Sequence, residues 1–337
     1  MMKHLVMILF IFSFVHSDDF LSTNQDKYVL GEGVQIASLP LYVGGYFSAL
    51  YQAKEHTKKY QLDDVALLLY GDYEKFSYVS EFEFKELYTY TKTENDAKSE
   101  QNTNIHIERL YFDYNYDENY QARVGKYNSP IGFWNMLPVN VLRDTTSNPI
   151  VTDIIFPRFT TGVSVTYSSY EKNAFQVDVL AQHNNDLDYN YNNYHMDEHF
   201  GLGFTYLLED LSLKMNLGTF DNLRKNGTSE ILYYGLLSFK YEQEKYQLTS
   251  ELGSQYSQKK ATTPYAGYLQ GVYNVTQEHA AILRLEVYKD EVTQNKDNIV
   301  VFAYTYRPLF PVALKAEYQL HSLEEKNQIL FSVSVLF

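Results

Sequence analysis

Residues 75–90 read KFSYVSEFEFKELYTY. Phe76, Tyr78, Phe82 and Phe84 fall on one parity, and Val79, Glu81, Glu83 and Lys85 on the other. A period of two with one face apolar and the other carrying charge predicts a strand whose two sides meet different surroundings. The same pattern recurs along the chain, over 41–51, 61–70, 106–116, 120–127, 160–169, 174–182, 200–208, 211–220, 231–241, 246–256, 265–275, 280–288, 299–307, 312–320 and 328–337. That makes about sixteen strands, an even number, as a closed up-and-down antiparallel barrel requires. The connections alternate between tight turns, such as Gly71–Asp72, and longer polar ones, such as AKEHTKK (53–59) and KDEVTQNKDN (289–298). A barrel whose two ends face different compartments sorts its connections in this way, whereas a soluble sandwich has no reason to do so.

One stretch breaks the pattern. Residues 128–158 contain SPIGFWNMLPVNVLRDTTSNPIVTDIIFPR, with four of the eight prolines and the single tryptophan, Trp134. A long connection without regular structure inside a compact domain is usually functional. It is also too apolar for a solvated tip, since Ile131, Phe133, Trp134, Met136, Leu137, Ile150, Val151, Ile154, Ile155 and Phe156 need a surface to pack on. Folding inward buries them and turns Arg143, Asp144, Asp153 and Arg158 toward the lumen; the alternative is a loop lying on the rim.

Composition sets the compartment. Residues 1–17 combine a basic start, an apolar run and small Ser17 before Asp18, the pattern of a secretory signal peptide. Residues 18–40 follow as a periplasmic lead-in, and 41–337 as the barrel. No later run is apolar enough for a transmembrane helix, so a membrane span must be built from strands. The chain holds no cysteine, which excludes disulfides and thiolate metal sites. A formal charge of -14 argues against nucleic acid as a partner. The 33 tyrosines suit a membrane–water boundary, where the ring is buried and the hydroxyl stays wet.

A barrel of this size encloses an aqueous channel. Its inward parity carries Lys85, Arg109, Arg123, Lys214, Arg284 and Lys315 against Glu81, Glu83, Asp113, Asp178, Glu251, Glu286 and Glu317. Some of these should pair across strands, as Arg284 with Glu286. Rings of charge near a narrow point set ion preference, and the near balance of signs leaves that preference open.

Arg123-Val124-Gly125-Lys126-Tyr127 followed by Ser129, Pro130, Ile131, Gly132 and Trp134 resembles the R-x-G-K-aromatic-x-x-P-x-G segment of Gram-negative porins of the phosphate-selective O/P type and related trimeric porins. The resemblance implies an outer-membrane porin passing ions and small hydrophilic solutes, with the third loop, 128–158, as constriction. The sorting of connections, with an even strand count, puts both termini in the periplasm; the resemblance implies a homotrimer in contact with outer-membrane lipid and lipopolysaccharide, and no cofactor is expected. The terminal Phe337 behind an alternating strand resembles the signal read by the barrel assembly machinery. This chain is acidic where the phosphate-selective members are basic, so their selectivity does not transfer. A surface adhesin or ligand receptor is the alternative reading, and a barrel hydrolase a more distant one.

Other candidate chemistry is sparse. Asp186, Asp188 and Asn190 have the spacing of a calcium loop, but Tyr191 stands where the turn needs glycine, so 183–199 reads as a solvated outer loop without metal. His106, His279 and His321 have no serine at a spacing that predicts catalysis.

Overall fold

In the computed structural model, residues 28–36, 39–170, 174–223 and 227–337 are described. The signal-peptide segment lies outside them, as do most of the lead-in and part of the turn after Ser169. Eighteen strands run in chain order: β1 (Val34–Gln35), β2 (Tyr42–Lys54), β3 (Thr57–Tyr73), β4 (Phe76–Thr93), β5 (Ala97–Gln101), β6 (Ile105–Asn115), β7 (Tyr120–Asn128), β8 (Phe159–Ser169), β9 (Ala174–His183), β10 (Glu198–Leu208), β11 (Leu211–Leu223), β12 (Ser229–Glu242), β13 (Tyr246–Ser257), β14 (Ala261–Asn274), β15 (His279–Asp290), β16 (Asn295–Leu309), β17 (Val312–His321) and β18 (Gln328–Leu336). β1 and β5 are short additions; the other sixteen form a closed antiparallel barrel, each strand paired with its sequence neighbour and β18 with β2. Closure runs from Ile329 opposite Ala53 to Leu336 opposite Tyr46, and Phe337 exchanges backbone hydrogen bonds with Gly45, both 2.7 Å. Below that point Val34 and Gln35 of the lead-in take over as the neighbours of β2.

The two parities separate as expected. Leu202, Phe204, Leu217, Leu237, Leu252, Leu283 and Phe302 are exposed on the outside, while Thr205, Lys214, Glu251 and Arg284 are buried inside. Aromatic contacts collect on the outer wall near the mouth where the chain begins and ends, among them Phe76 with Tyr114 (5.1 Å), Tyr120 with Tyr167 (4.8 Å) and Tyr246 with Tyr273 (5.3 Å). A second set, Tyr51, Tyr60 and Tyr90, lies toward the other mouth. An apolar band between aromatic belts is how a strand wall matches a bilayer and its two interfaces.

Two sequence expectations need correction. The first hairpin turn at the chain-end mouth is at residues 74–75 rather than Gly71–Asp72. Both of those residues stay in the ladder, opposite Tyr78 and Ser77, and Glu74 takes the positive φ of 54° that the tight turn demands. The length sorting is also weaker than expected. At the mouth opposite the chain ends, connections range from 55–56 to 129–158, because polar stretches such as 57–59 and 295–298 continue the hydrogen-bonded strands beyond the apolar band.

The candidate channel constriction

The loop after β7 lies inside the barrel. Its apolar residues form one core with the inner wall: Ile131, Trp134, Val151, Ile155 and Phe156 against Phe220, Leu232, Tyr234, Leu236, Ala266 and Tyr268. Val139 and Val141 join a second, with Tyr46, Ala66, Leu68 and Ala313. Burying a large aliphatic or aromatic side chain contributes roughly 1.5–3 kcal/mol, so this surface suffices to draw the loop off the rim.

Polar anchors fix its path. The Glu251 carboxylate accepts the backbone N–H of Phe133 (2.5 Å) and Trp134 (3.1 Å). Asn216 accepts from Gly132 N–H (3.0 Å), and Lys214 donates to the Gly132 carbonyl (3.3 Å). Glu286 accepts from Ile150 N–H (2.8 Å) and pairs with Arg284 (2.7 Å). Arg284, fully buried, also donates to Thr145 and Ser147. Lys315 donates to the carbonyls of Asn140 (2.5 Å) and Thr145 (3.3 Å), and Glu317 accepts from Thr146 N–H (2.9 Å) and Ser147 N–H (3.1 Å). A buried charge is costly unless it is paired or hydrogen-bonded. The loop backbone, lacking regular structure, supplies the partners these side chains need. Of the inward charges named from sequence, Lys214, Glu251, Arg284, Glu286, Lys315 and Glu317 therefore lie beneath the loop and hold it. Arg284 and Glu286 do pair, along one strand rather than across two, while Lys315 is held by loop carbonyls.

The remaining inward charges lie on the other side of the lumen. Arg109 pairs with Glu81, and Arg123 grips Asp113 with two hydrogen bonds, 2.6 and 2.7 Å, its guanidinium 4.0 Å from the Tyr111 ring centre. Asp178 accepts from Thr166 (2.8 Å) and Gln176 (2.8 Å). With Arg123, Tyr127, Ser164 and Met136 it lines a cavity of about 270 Å³ beside the start of the loop. Of the four loop charges, Arg143 donates to the carbonyls of its own loop, Leu137 (2.8 Å) and Pro138 (2.7 Å). Asp144 stands 3.7 Å from Arg307, and Asp153 3.7 Å from Arg158. Removal from water raises the pKa of Asp144, with Arg307 opposing, and that of Asp153, with Arg158 opposing. Desolvation, reinforced by neighbouring Arg158, lowers that of Arg143.

The R-x-G-K segment has a physical role at each position. Gly125 has φ +128°, and a Cβ there would sit 2.1 Å from the Leu110 carbonyl oxygen. Gly132, φ +68°, turns the chain against Glu251. Lys126 is fully buried and donates to Asp186 (2.8 Å) and to the Asp188 carbonyl (2.8 Å).

That last contact overturns the reading of 183–199 as a solvated outer loop. Residues 184–197 also enter the barrel. Asp186 accepts from Thr161 (3.0 Å) as well as Lys126, and Asp188 bonds His106 Nδ1 (3.0 Å) and accepts from Ile107 N–H (3.1 Å). Asn193 accepts from Arg158 N–H (2.9 Å), and Tyr194 donates to Ile154 (2.8 Å), joining the two loops. The Tyr191 hydroxyl lies within hydrogen-bond reach of Glu83 and Glu108 and donates to either. The oxygens of Asp186 and Asp188 are shared between the wall and the loop's own Asn190 and Asn192.

Sequence reasoning missed Glu108, Asp64 and Tyr46. Tyr46 donates to Glu108 (3.0 Å), and Ser48 donates to Asp64 (2.8 Å). The register slips at this level: Glu81 pairs with Arg109 but Phe82 with Ile107, leaving Glu108 as the extra residue of a bulge, and β2–β3 and β3–β4 slip beside Ser48 and Asp63. Bulges re-aim side chains. A carboxylate on the lipid parity, as Glu108 is under strict alternation, was the signal available.

A closed sixteen-stranded barrel with an apolar outer band and a loop folded into its lumen defines a channel-forming outer-membrane protein. Residues 49–327 match the beta-barrel porin-2, OmpL-like family, and the chain belongs to it. It is an outer-membrane porin, a channel for passive diffusion. The fold is similar to that of an anion-selective porin from Comamonas acidovorans (TM-score 0.62, 10% identity, covering 88% of this chain and 99% of that one). It is also similar to OmpT of Vibrio cholerae (0.60, 9%, 90% and 99%) and OprB of Pseudomonas putida (0.59, 9%, 88% and 93%). No curated protein matches the chain in sequence.

Proposed function

We propose that residues 128–158 form the constriction of this porin, with Arg143, Asp144, Asp153 and Arg158 as its charged rim and ions and small hydrophilic molecules as its solutes. The observation that carries this reading is the docking of the loop on the inner wall, with Glu251, Glu286 and Glu317 holding its backbone N–H groups. Opposite that rim, Lys85 and the pairs Arg109–Glu81 and Arg123–Asp113 line the open side. The even strand number supports both termini on the periplasmic side, where the closing Phe337 meets the barrel assembly machinery and the opposite mouth meets lipopolysaccharide. A homotrimer is the assembly we infer, since the OmpT of Vibrio cholerae, similar in fold, is described in a trimer form. The fold supports a channel over an enzyme or adhesin. Planar-bilayer recording tests the reading: purified protein should produce stepwise ohmic conductance. A normally folded barrel that gives none would overturn it.

A further inference from the structure

Resting on the channel reading above, we propose that Tyr191, on the second inward loop, is a selectivity lid: it covers a pair of wall carboxylates, Glu83 and Glu108, and keeps them from the ions that permeate. Tyr191 is partly open to the lumen, whereas Glu83 and Glu108 beneath it are 1% and 3% exposed. The Tyr191 hydroxyl lies within hydrogen-bond reach of both carboxylates and donates its one proton to either, and Tyr46 covers Glu108 from the wall side. The ring is held on its flanks by His106 (5.4 Å) and Phe159 (5.5 Å), and the Lys85 ammonium lies 5.1 Å from its centre. Its backbone is fixed by neighbours on either side, Asp188 on His106 and Asn192 on the Phe159 carbonyl (3.0 Å). Burial, then Glu108 and Glu83, hold the Tyr191 pKa well above its ordinary value, so the hydroxyl remains a donor.

The charge left half-buried at this level is of both signs, so two further carboxylates would tilt it toward the acidic. Lys85, Arg143 and Arg158 are half-buried and Arg109 is neutralised by Glu81. Asp153 is opposed by Arg158, Asp64 lies opposite Lys85 in the ladder, and Asp63 beside it is half-buried as well. Ion preference follows the charges that reach the narrow aqueous path, since an unscreened neighbour there replaces part of the hydration shell. Removing the lid would add two carboxylates to that path and widen it.

The test is single-channel recording across a KCl gradient with the wild type, Tyr191→Ala, and Tyr191→Ala combined with Glu83→Gln and Glu108→Gln. Tyr191→Ala is expected to raise conductance and move the reversal potential toward the potassium equilibrium value. The added glutamines should return the reversal potential while the conductance stays raised. A reversal potential unmoved in Tyr191→Ala, or a shift that survives the glutamines, overturns the lid. Should Tyr191→Ala fail to fold, judged by heat-modifiable migration, Tyr191→Phe keeps the ring but removes the shared donor. It should shift the reversal potential in the same direction by less, and no shift would again overturn the proposal. A wild type without conductance would instead remove the channel reading itself.

Discussion

Glu108 and Arg109 are adjacent in sequence and both turn inward, which a strict period of two forbids. The bulge that permits it sits beside two further register slips, so the wall bends where its carboxylates gather. Slips also occur near the ends of the β13–β14 and β16–β17 pairs, but along β10 and β15 the alternation is unbroken, and it makes a residue-level prediction. Phe204→Arg or Leu283→Arg places a charge on the lipid side and should cost about 2–4 kcal/mol near the membrane midplane. Ser164, 7% exposed on the inner side, should accept a polar replacement such as Ser164→Asn without that penalty. The measurement is the yield of heat-modifiable barrel refolded into lipid; equal losses at Phe204 and Ser164 would contradict the assigned faces. A second prediction concerns Gly125. A Cβ would strike the Leu110 carbonyl and the φ of +128° is unfavourable for any side chain, so Gly125→Ala should destabilise the barrel by roughly 1–3 kcal/mol. Denaturant unfolding in detergent measures it.

At the scale of elements, the inward loop is a cap on wall charges as much as a narrowing of the lumen. Replacing 139–152 with a short Gly/Ser linker changes loop closure by only about a kcal/mol. The groups it uncovers, Lys315, Glu317, Arg284 and Glu286, would then meet water, which can solvate them. The barrel should therefore assemble and conduct more, and unchanged conductance in planar bilayers would return the loop to the rim. Acid should favour the docked loop. Burial raises Asp144, so the folded state holds its proton to higher pH than the unfolded chain does. Stability linked to that proton is present below the ordinary aspartate value, about 3.9, and is lost as pH rises through the raised one. Asp144→Asn should thus be more stable than wild type at neutral pH, with the gap in thermal midpoint narrowing as pH falls toward 4. This loop was legible because its prolines and apolar residues interrupt an otherwise regular alternation. The second inward loop was not: Asn, Asp and Tyr in 184–197 read as solvated, and only the fold brings Lys126, His106 and Glu83 to meet them. Likewise the polar ends of β3 and β16 read as loops, because hydropathy marks where the bilayer stops and not where the ladder stops.

For the whole molecule, the chain enters and leaves the wall at one mouth, where Phe337 bonds Gly45, and both inward loops descend from the other. Outer-membrane barrels keep their short turns on the periplasmic side and their longer loops outside, so the termini, which share a mouth with the tight turns, should stay in the periplasm and the connections at the opposite mouth should face outward. The absence of cysteine makes this directly testable, since any introduced thiol is the only one in the chain. Lys259, between β13 and β14, and Lys245, between β12 and β13, are both exposed and lie at opposite mouths. Each can be replaced singly by cysteine in cells that assemble the protein. A membrane-impermeant maleimide too large for the lumen should label Lys259→Cys on intact cells, and Lys245→Cys only after the outer membrane is opened. The reverse pattern would place the termini outside and turn the constriction loop toward the periplasm, leaving the conductance argument intact but reversing the side from which solutes first meet Arg143, Arg158 and Tyr191.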